Sequence, residues 1–297
     1  MKSGIIVLKK EEGITSQGAV NRIKRLFNVK KAGHTGTLDP LATGVLPILI
    51  GRAVKASEYM LSSDKYYRAV LKLGVTTDTE DITGEILTQS SEIPNTEAVM
   101  SAISEFVGEI LQTPPMYSAL KVGGKKLCDL ARQGIEIERE PRCVTIHSIR
   151  AERLDDTRYS LDVHCSKGTY IRTLCADIGN SLGCGGVMES LERTRASVFS
   201  LEDSTTLSQI EALNESERDA LIVPIERVFD KYQKVTLPQF FARLARCGVE
   251  IYLKKLGVEI KTGTIVTLFD ESGFFALAEV RDFEAGAAIK PIKQFDV

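Results

Sequence analysis

The sequence predicts an α+β protein with a mixed, mainly antiparallel sheet and a small β-rich module at its C-terminal end. Strand and helix patterns do not alternate regularly along the chain, which argues against a parallel α/β sheet. Residues 143–154 and 158–165 are two strand-like runs on either side of a turn at residues 155–157, as in an antiparallel hairpin. Residues 235–297 consist of short strand-like runs that glycine and aspartate turns divide.

The elements before the hairpin follow from hydrophobic spacing. Residues 4–8 predict a short strand, and the alternation of apolar and polar residues over 67–73 predicts a half-buried strand. Between them we expect a helix that begins at Thr15 or Ser16. It places four apolar side chains on one face: Val20, Ile23, Leu26 and Phe27.

Two further helices are predicted from apolar residues at helical spacing. One follows Asn95 and Thr96, and its inward positions are Val99, Ile103, Phe106, Val107 and Ile110. The other opens at Gly168 and Thr169 and ends near Gly183, and its inward positions are Ile171, Leu174, Ile178 and Leu182. No internal repeat is visible.

Size and composition indicate an ordinary globular protein. A chain of 297 residues suggests two domains or one large one, and it can bury a core without disulfides or metals. No window approaches about 18 uninterrupted apolar residues, and the run at residues 5–8 is too brief for the core of a signal peptide. We therefore expect a cytoplasmic protein that makes no membrane contact.

The sequence predicts no metal site and no disulfide. The six cysteines are scattered without a C-x-x-C pair, so we expect reduced thiols that serve as small core residues. One conceivable ligand group joins His164 and Cys165 to Cys175 and Cys184. Zinc sites normally use ligand pairs that are much closer in sequence.

Charge is distributed unevenly, although the formal net charge is only −2. Residues 201–230 carry eight acidic and two basic side chains, whereas the parts before and after are mildly basic. The first predicted helix and the residues after it present five cations, with no acidic residue between positions 13 and 38: Arg22, Lys24, Arg25, Lys30 and Lys31. A solvated helix face and a phosphate-binding surface explain this cluster equally well.

The most unusual segment is GHTGTLDPLATG, residues 33–44. Glycines permit close approach of a ligand to the backbone, and Pro40 favours an extended conformation at Asp39. A phosphate-binding P-loop would need a Gly-Lys-Ser/Thr ending, which is missing. From spacing alone, an Asx-type turn is the simpler explanation of the aspartate.

The run GHTGTLDPLATGVLP, residues 33–47, resembles the signature loop of the TruB family of tRNA pseudouridine synthases. Four further runs match family motifs in the same order: DKYYR (64–68), LGVTTDTEDITGE (73–85), PPMYSALKVGGKKL (114–127) and HCSKGTYIRTL (164–174). The resemblance implies a catalytic domain with a pseudouridine synthase sheet in residues 1–230. It implies a PUA-like RNA-binding module in residues 231–297.

The resemblance also implies the activity, which is isomerisation of uridine to pseudouridine at position 55 in the T-loop of tRNA. Uracil is detached from C1′ of a flipped-out nucleotide, rotated and rejoined through C5. This reaction needs no redox cofactor, phosphate donor or metal. A carboxylate suits a sugar carbon with cationic character, as in retaining glycosidases, and the resemblance identifies Asp39 as that carboxylate.

The other site residues are implied in the same way. Arg172 would pair with Asp39, keep it ionised and orient it. Tyr67 would stack on the target base, and it is a candidate acceptor of the C5 proton. Tyr170 would line the base pocket and Leu191 would form the opposite apolar wall. Without the resemblance, the arginine would be interpreted as part of a surface ion pair and the apolar residues as core.

His34 would fill the space that the flipped base vacates, or hold the neighbours of that base.

The expected substrate is tRNA, bound through its T-stem-loop by a monomer that requires no protein partner. One alternative is the catalytic subunit of a guide-RNA-dependent synthase, but the absence of Lys-rich tails favours a stand-alone enzyme. The other is an RNA-binding or RNA-folding protein without catalysis, which the intact Asp39, Tyr67 and Arg172 argue against.

Overall fold

The computed structural model describes residues 2–118 and 120–295, apart from the side chains of Lys121 and Lys126. The strands are β1 (Gly4–Lys10), β2 (Ala32–His34), β3 (Thr43–Ile50), β4 (Lys65–Leu73), β5 (Val75–Thr77), β6 (Ile86–Gln89), β7 (Gly108–Gln112), β8 (Lys121–Val122), β9 (Lys125–Lys126), β10 (Arg142–Arg153), β11 (Arg158–Cys165), β12 (Gly186–Ala196), β13 (Phe199–Ser200), β14 (Thr205–Thr206), β15 (Gln233–Thr236), β16 (Ile251–Tyr252), β17 (Ile265–Asp270), β18 (Gly273–Phe283) and β19 (Gly286–Gln294). The α-helices are α1 (Ser16–Leu26), α2 (Ser57–Leu61), α3 (Thr96–Glu105), α4 (Leu127–Ala131), α5 (Ile171–Ser181), α6 (Leu207–Ala212), α7 (Glu215–Ala220), α8 (Gln239–Arg246) and α9 (Leu253–Leu256), and short 3₁₀ helices span Gly51–Ala56, Leu201–Asp203 and Ile225–Phe229.

Ten described strands form one mixed sheet, in the order β14-β1-β3-β12-β4-β11-β10-β7, with β2 also on β3 and β13 on β12. The long pairings are antiparallel, and β12 joins β3 in parallel. That parallel contact is confined to the start of β3, at Thr43 and Gly44, while β2 pairs with the end of β3. The sheet therefore opens between β3 and β12, and the segment that joins β2 to β3 lies at this opening. The predicted α+β class is confirmed.

The alternation of side chains along β1 separates two cores. Ile6 and Leu8 face a cluster that α1, α3 and α5 cover, whereas Ile5 and Val7 face the other side of the sheet. Helix α1 begins as expected, because the Thr15 side chain accepts a hydrogen bond from the backbone N–H of Gly18. The strands predicted at residues 4–8 and 67–73, the hairpin and the helix that ends near Gly183 are also confirmed.

The helix after Asn95 is shorter than predicted. It ends at Glu105, and Ile110 lies instead in strand β7. Gly108, the first residue of β7, has a φ of 115°, a conformation that favours glycine and that a continuing helix could not adopt. Val107, expected inside, is therefore exposed.

The C-terminal part forms a second sheet, in the order β15-β17-β18-β19-β16, with helices α8 and α9 that the sequence did not predict. This sheet has a core cluster of its own. It is not separate from the rest, because Phe274, Leu277 and Phe295 pack in one cluster with Ile5 and Val7 of β1.

The six cysteines, all within the described residues, are unpaired. Cys165, Cys175 and Cys184 are buried as predicted, but Cys143 and Cys247 are exposed. No described helix has the length and apolar character needed to cross a membrane.

Candidate active site

A cleft of about 250 Å³ lies where the sheet opens beside β12. Its lining comes from the segment before β3, from β4 and β12, and from the residues around the start of α5. Five of the predicted site residues line it: Asp39, Tyr67, Tyr170, Arg172 and Leu191. The sequence motifs therefore converge on one cavity, although they are scattered over residues 39–191.

The segment that carries Asp39 is fixed by two buried polar side chains. The Lys10 Nζ donates to the backbone carbonyls of Pro40 (3.2 Å) and Ala42 (2.6 Å). The Ser16 hydroxyl accepts from the Leu38 N–H at 2.8 Å and lies 2.9 Å from the Leu38 carbonyl oxygen, to which it donates. These contacts bracket Asp39 and fix its backbone on both sides.

Arg172 is held rigidly against Asp39. Its Nε lies 2.9 Å from Asp39 Oδ2, and the side chain is only 6% exposed. Its two terminal nitrogens donate to the backbone carbonyls of Thr79 (3.0 Å) and Tyr117 (2.8 Å). The arginine thus joins three of the sequence motifs at one point, and the alternative of a solvent-exposed surface pair is wrong.

A second carboxylate, Asp81, lies on the other side of Arg172, with 3.8 Å between its Oδ2 and Arg172 Nη1. Its Oδ1 accepts hydrogen bonds from the Thr79 hydroxyl (2.9 Å) and from the backbone N–H and hydroxyl of Thr83 (3.0 and 2.6 Å). Asp81 was not among the predicted site residues, although it lies within a quoted motif.

The pKa of Asp39 is raised, which corrects the expectation that Arg172 holds it low. Burial is the largest influence, and the negative charge of Asp81 raises this pKa further. The guanidinium of Arg172 and the ammonium of Lys10 lower it, but their combined effect is smaller. The pairing therefore limits the cost of burying this carboxylate and does not make it unusually acidic.

Tyr67 lies next to a buried arginine that the sequence analysis missed. In the β4–β12 pairing Tyr67 is opposite Arg193, whose Nε donates to the Val45 carbonyl (2.8 Å) and whose Nη2 donates to the Gly36 carbonyl (3.2 Å). Burial raises the pKa of the Tyr67 phenol despite the nearby Arg193. The phenol is therefore protonated at neutral pH.

Gly44 allows β3 to approach Arg193. A Cβ at Gly44 would lie 2.3 Å from the Arg193 carbonyl oxygen, and the φ of Gly44 is 100°. A side chain is therefore excluded at this position by both backbone conformation and space.

Tyr170 and Leu191 lie on different elements of the cleft wall. Tyr170 is the N-cap of α5, and its backbone N–H and carbonyl bond to the buried Gln112 side chain at 2.7 and 3.0 Å. Gln112, which the sequence analysis missed, thus ties α5 to β7. Leu191 is a buried residue of β12, paired with Ala69 of β4.

His34 is not one of the described residues that line the cleft. It is half-buried at the end of β2, and its Nδ1 accepts from the Gly36 N–H at 3.3 Å. Burial and the nearby Arg193 lower the pKa of His34, so its ring is neutral at physiological pH.

Lys65 also lines the cleft and was not predicted. Its Nζ donates to the carbonyls of Met60 (3.3 Å) and Leu61 (2.9 Å) at the end of α2, and also to that of Ser63. Burial lowers the pKa of Lys65 to about 8. This lysine anchors the start of β4 to α2.

Comparison with known proteins decides the family. Residues 24–171 match the model of the TruB family pseudouridylate synthase N-terminal domain, and residues 172–230 match the tRNA pseudouridylate synthase B C-terminal domain. A protein of Clostridium tetani named tRNA pseudouridine synthase B is 44% identical over 93% of this chain and 95% of its own. The chain belongs to the TruB family.

A second tRNA pseudouridine synthase B, from Methylobacillus flagellatus, is 44% identical over 92% of this chain and 89% of its own. A solved H/ACA ribonucleoprotein bound to a substrate RNA containing 2′-deoxyuridine is similar in structure, with a TM-score of 0.71 and 25% identity. That similarity covers 99% of this chain and 85% of the other. The segment that carries Asp39 into the cleft lies within the matched N-terminal domain.

Proposed function

We propose that the protein isomerises uridine to pseudouridine at position 55, in the T-loop of tRNA. The observation that carries this proposal is the pairing of the partly exposed Asp39 carboxylate with the buried Arg172, at the wall of a cleft that admits one base. A cleft of about 250 Å³ has room for a single nucleobase, and an enzyme that acts on a base of a structured loop takes that base out of the stack. The 44% identity to tRNA pseudouridine synthase B over most of both chains supports the substrate.

The reaction is an exchange of bonds at C1′ of the ribose. The ionised Asp39 attacks or stabilises C1′ while the C1′–N1 bond breaks and its electron pair leaves with uracil. The ring then turns, a C1′–C5 bond forms, the C5 proton is removed and N1 gains a proton. Atoms and electrons balance without any co-reactant. Arg172 keeps the Asp39 oxygen aimed at C1′, because its own position is fixed by two carbonyls.

Tyr67 serves as the stacking platform for the uracil ring. Its raised pKa keeps the phenol protonated at neutral pH, so little phenolate is present to accept the C5 proton and stacking is the favoured role. Leu191 and Tyr170 close the remaining apolar sides of the cleft. The neutral, half-buried His34 is suited to occupy the apolar space in the RNA loop that the flipped base leaves.

The RNA backbone is bound by a smaller cation surface than the sequence suggested. Arg22 is paired with Glu211, which comes from the acidic stretch, so this cation is compensated. Lys30 and Lys31 are exposed, and they line a cavity of about 410 Å³ together with Lys2, Arg52 and Lys55. We assign phosphate contacts to Lys30 and Lys31.

The enzyme acts as a cytoplasmic monomer without a guide RNA or protein partner. The 44% identity to tRNA pseudouridine synthase B, against 25% to the solved H/ACA particle, favours this mode. In this proposal residues 1–230 are the catalytic domain. Residues 231–297 are a PUA-like module that binds a part of the tRNA distant from the cleft.

The test uses the purified full chain and an unmodified tRNA transcript labelled with tritium at C5 of uridine. We expect tritium release, with pseudouridine mapped to position 55, and no release from a transcript with cytidine at that position. Tight binding without product would instead support an RNA-binding or RNA-folding protein. Activity that appears only after a guide RNA is added would support the guide-dependent alternative.

A further inference from the structure

Three potential metal ligands converge outside the cleft: Asp64, His147 and His164. The Asp64 Oδ2 lies 3.4 Å from His147 Nε2 and 3.3 Å from His164 Nε2. One ligand atom from each residue lies within 4.8 Å of the other two. The side chains are partly exposed, so water and ions can reach them. The cysteines considered in the sequence analysis are not part of this group.

The convergence follows from the pairing of neighbouring strands, next to an irregularity in the sheet. Strands β4, β11 and β10 are neighbours, and the β10–β11 register shifts between Ile146, opposite Cys165, and Ser148, opposite His164. His147 is the extra residue at this shift. Continued from the Ile146–Cys165 pair, the antiparallel register places His147 opposite His164, and opposed residues project from the same face of a sheet. The bulge then brings Ser148 opposite His164 as well, so that two residues of β10 oppose one of β11.

The ring of His164 is held in place before any ligand binds. It stacks on Tyr66 with a centroid distance of 4.0 Å and an interplanar angle of 8°, and the Arg195 guanidinium lies over the Tyr66 ring at 5.5 Å. The His147 ring lies 4.4 Å from that of His164. Rings restrained in this way lose little side-chain entropy when they coordinate an ion.

The two separations from Asp64 to the histidines fit a tetrahedral metal ion. Zinc bonds to imidazole nitrogen and carboxylate oxygen are about 2.0–2.1 Å, which places adjacent tetrahedral ligands about 3.3–3.4 Å apart. Two imidazoles and one carboxylate are a donor set that suits zinc and its neighbours among the divalent transition metals. We propose that Asp64, His147 and His164 bind a divalent transition-metal ion of the zinc class, with water in the fourth position.

An ion at this place would join three adjacent strands beside the active site. Asp64 precedes Lys65 and His164 lies two residues before Ser166, and both Lys65 and Ser166 line the cleft. Binding to the folded chain would raise its melting temperature, since the unfolded chain does not hold the three ligands together. The ion is structural in this proposal and takes no part in the isomerisation.

The test is a titration of the full chain with Zn²⁺, followed by calorimetry and by melting temperature. Because thiols also bind zinc, the parent protein carries Cys128→Ser, Cys143→Ser and Cys247→Ser, which remove the thiols that are not buried. We expect one ion per chain and a rise in melting temperature. Loss of an outer-shell partner typically weakens a metal site about 10- to 100-fold, so His147→Ala or His164→Ala should weaken binding by more than that.

The matched control is His34→Ala, which removes the third histidine of the chain and should leave zinc affinity unchanged. Asp64→Asn keeps the size of the side chain and should also weaken binding, which covers the case in which a histidine variant fails to fold. Circular dichroism checks folding in each case. A parent that does not bind, or histidine and aspartate variants that bind as tightly as the parent, would show that the three residues form only a hydrogen-bonded cluster.

Discussion

At Asp39, burial and pairing act in opposite directions on one carboxyl group. Burial and Asp81 raise its pKa, while Arg172 and Lys10 lower it. The proposed mechanism requires the ionised form of Asp39. The acid limb of the pH–rate profile therefore reports the balance of these influences on its pKa. Arg172 is the largest of the lowering influences, which makes it the residue to change.

We predict that Arg172→Ala lowers the single-turnover rate by roughly 10²–10³-fold, as loss of a preorganised charge partner commonly does. We also expect the acid limb of its pH–rate profile to move to higher pH, because Asp39 becomes harder to ionise without the guanidinium. The matched control is Arg68→Ala, which removes an exposed ion pair between Arg68 of β4 and Asp162 of β11. It should change neither the rate nor the acid limb. An unchanged acid limb in Arg172→Ala would contradict the proposed pairing.

The predicted site residues came from the family resemblance, and most of those that were missed lie outside the runs that carry it, with Lys65 and Asp81 as the exceptions. Four of the five that line the cleft lie in runs that match the family, and the resemblance implied the fifth, Leu191, outside those runs. Lys10, Gln112 and Arg193 act on backbone groups that are distant in sequence, and a single polar residue in a strand pattern gives no sign of such a partner. The direction of the Asp39 pKa shift was predicted wrongly because burial depth cannot be obtained from a motif.

Among the helices, α5 carries an acidic residue, Asp177, whose partial burial disfavours its charged form. Burial, and then the charge of Glu80, raise the pKa of Asp177 from 3.8 to about 6. The folded chain therefore binds more protons than the unfolded chain between these values, and stability falls as pH rises through that window. Above about pH 6 the full cost of the buried charge remains.

We predict that Asp177→Asn stabilises the protein at pH 8 by about 1 kcal/mol, after discounting for partial solvent screening. The gain should shrink as pH falls from about 6 towards 3.8 and vanish below, which melting curves across this range will show. Glu152→Gln, at an exposed position of β10, is the control and should leave the melting temperature unchanged at each pH. A gain that does not depend on pH would mean that the Asp177 charge is not its cause.

The residues that follow α1 supply the predicted phosphate contacts. We predict that Lys30→Gln with Lys31→Gln lowers the slope of log tRNA affinity against log salt by about one to two units. Arg22→Gln is the matched control, because Glu211 already compensates that cation, and it should change the slope little. Equal effects of the two changes, or a salt-independent affinity of the parent, would remove this surface from the proposed interface.

Helices and strands with clear periodicity were predicted well, and those without it were not. Strand β12 was missed because its 11 residues mix charged and apolar side chains on both faces, yet it forms the centre of the sheet and one wall of the cleft. Helix α3 was predicted to be longer than it is, because Val107 and Ile110 continue the helical spacing of apolar residues beyond the end of the helix at Glu105.

At the scale of the whole molecule, the two sheets share a core. Phe229, Phe274 and Phe295 pack against each other at centroid distances of 5.3–5.7 Å, on the side of the large sheet that faces away from α1. Removing residues 231–297 would expose this cluster to water. Substitutions on the surface of the intact chain are therefore the appropriate probe of what the C-terminal module does.

We predict that Lys254→Ser with Lys255→Ser, at exposed positions of α9, raises KM for tRNA several-fold and leaves kcat nearly unchanged. Loss of contacts that are equal in the ground and transition states has this effect. An isolated T-stem-loop lacks the distant part of tRNA that we propose the module contacts, so as the control substrate it should be modified equally well by both proteins. A fall in kcat on the stem-loop would place the module in the active site instead.

In the proposed mechanism Asp39 supplies the chemistry of uridine isomerisation, and Asp39→Asn removes its charge with little change in the size of the side chain. The measurement is pseudouridine formation at position 55 in a single turnover, together with tRNA affinity, for the purified parent and variant. We predict that the variant forms no product while its affinity stays within about tenfold, or ~1.4 kcal/mol, of the parent. Product formation by Asp39→Asn near the parent rate would contradict the account.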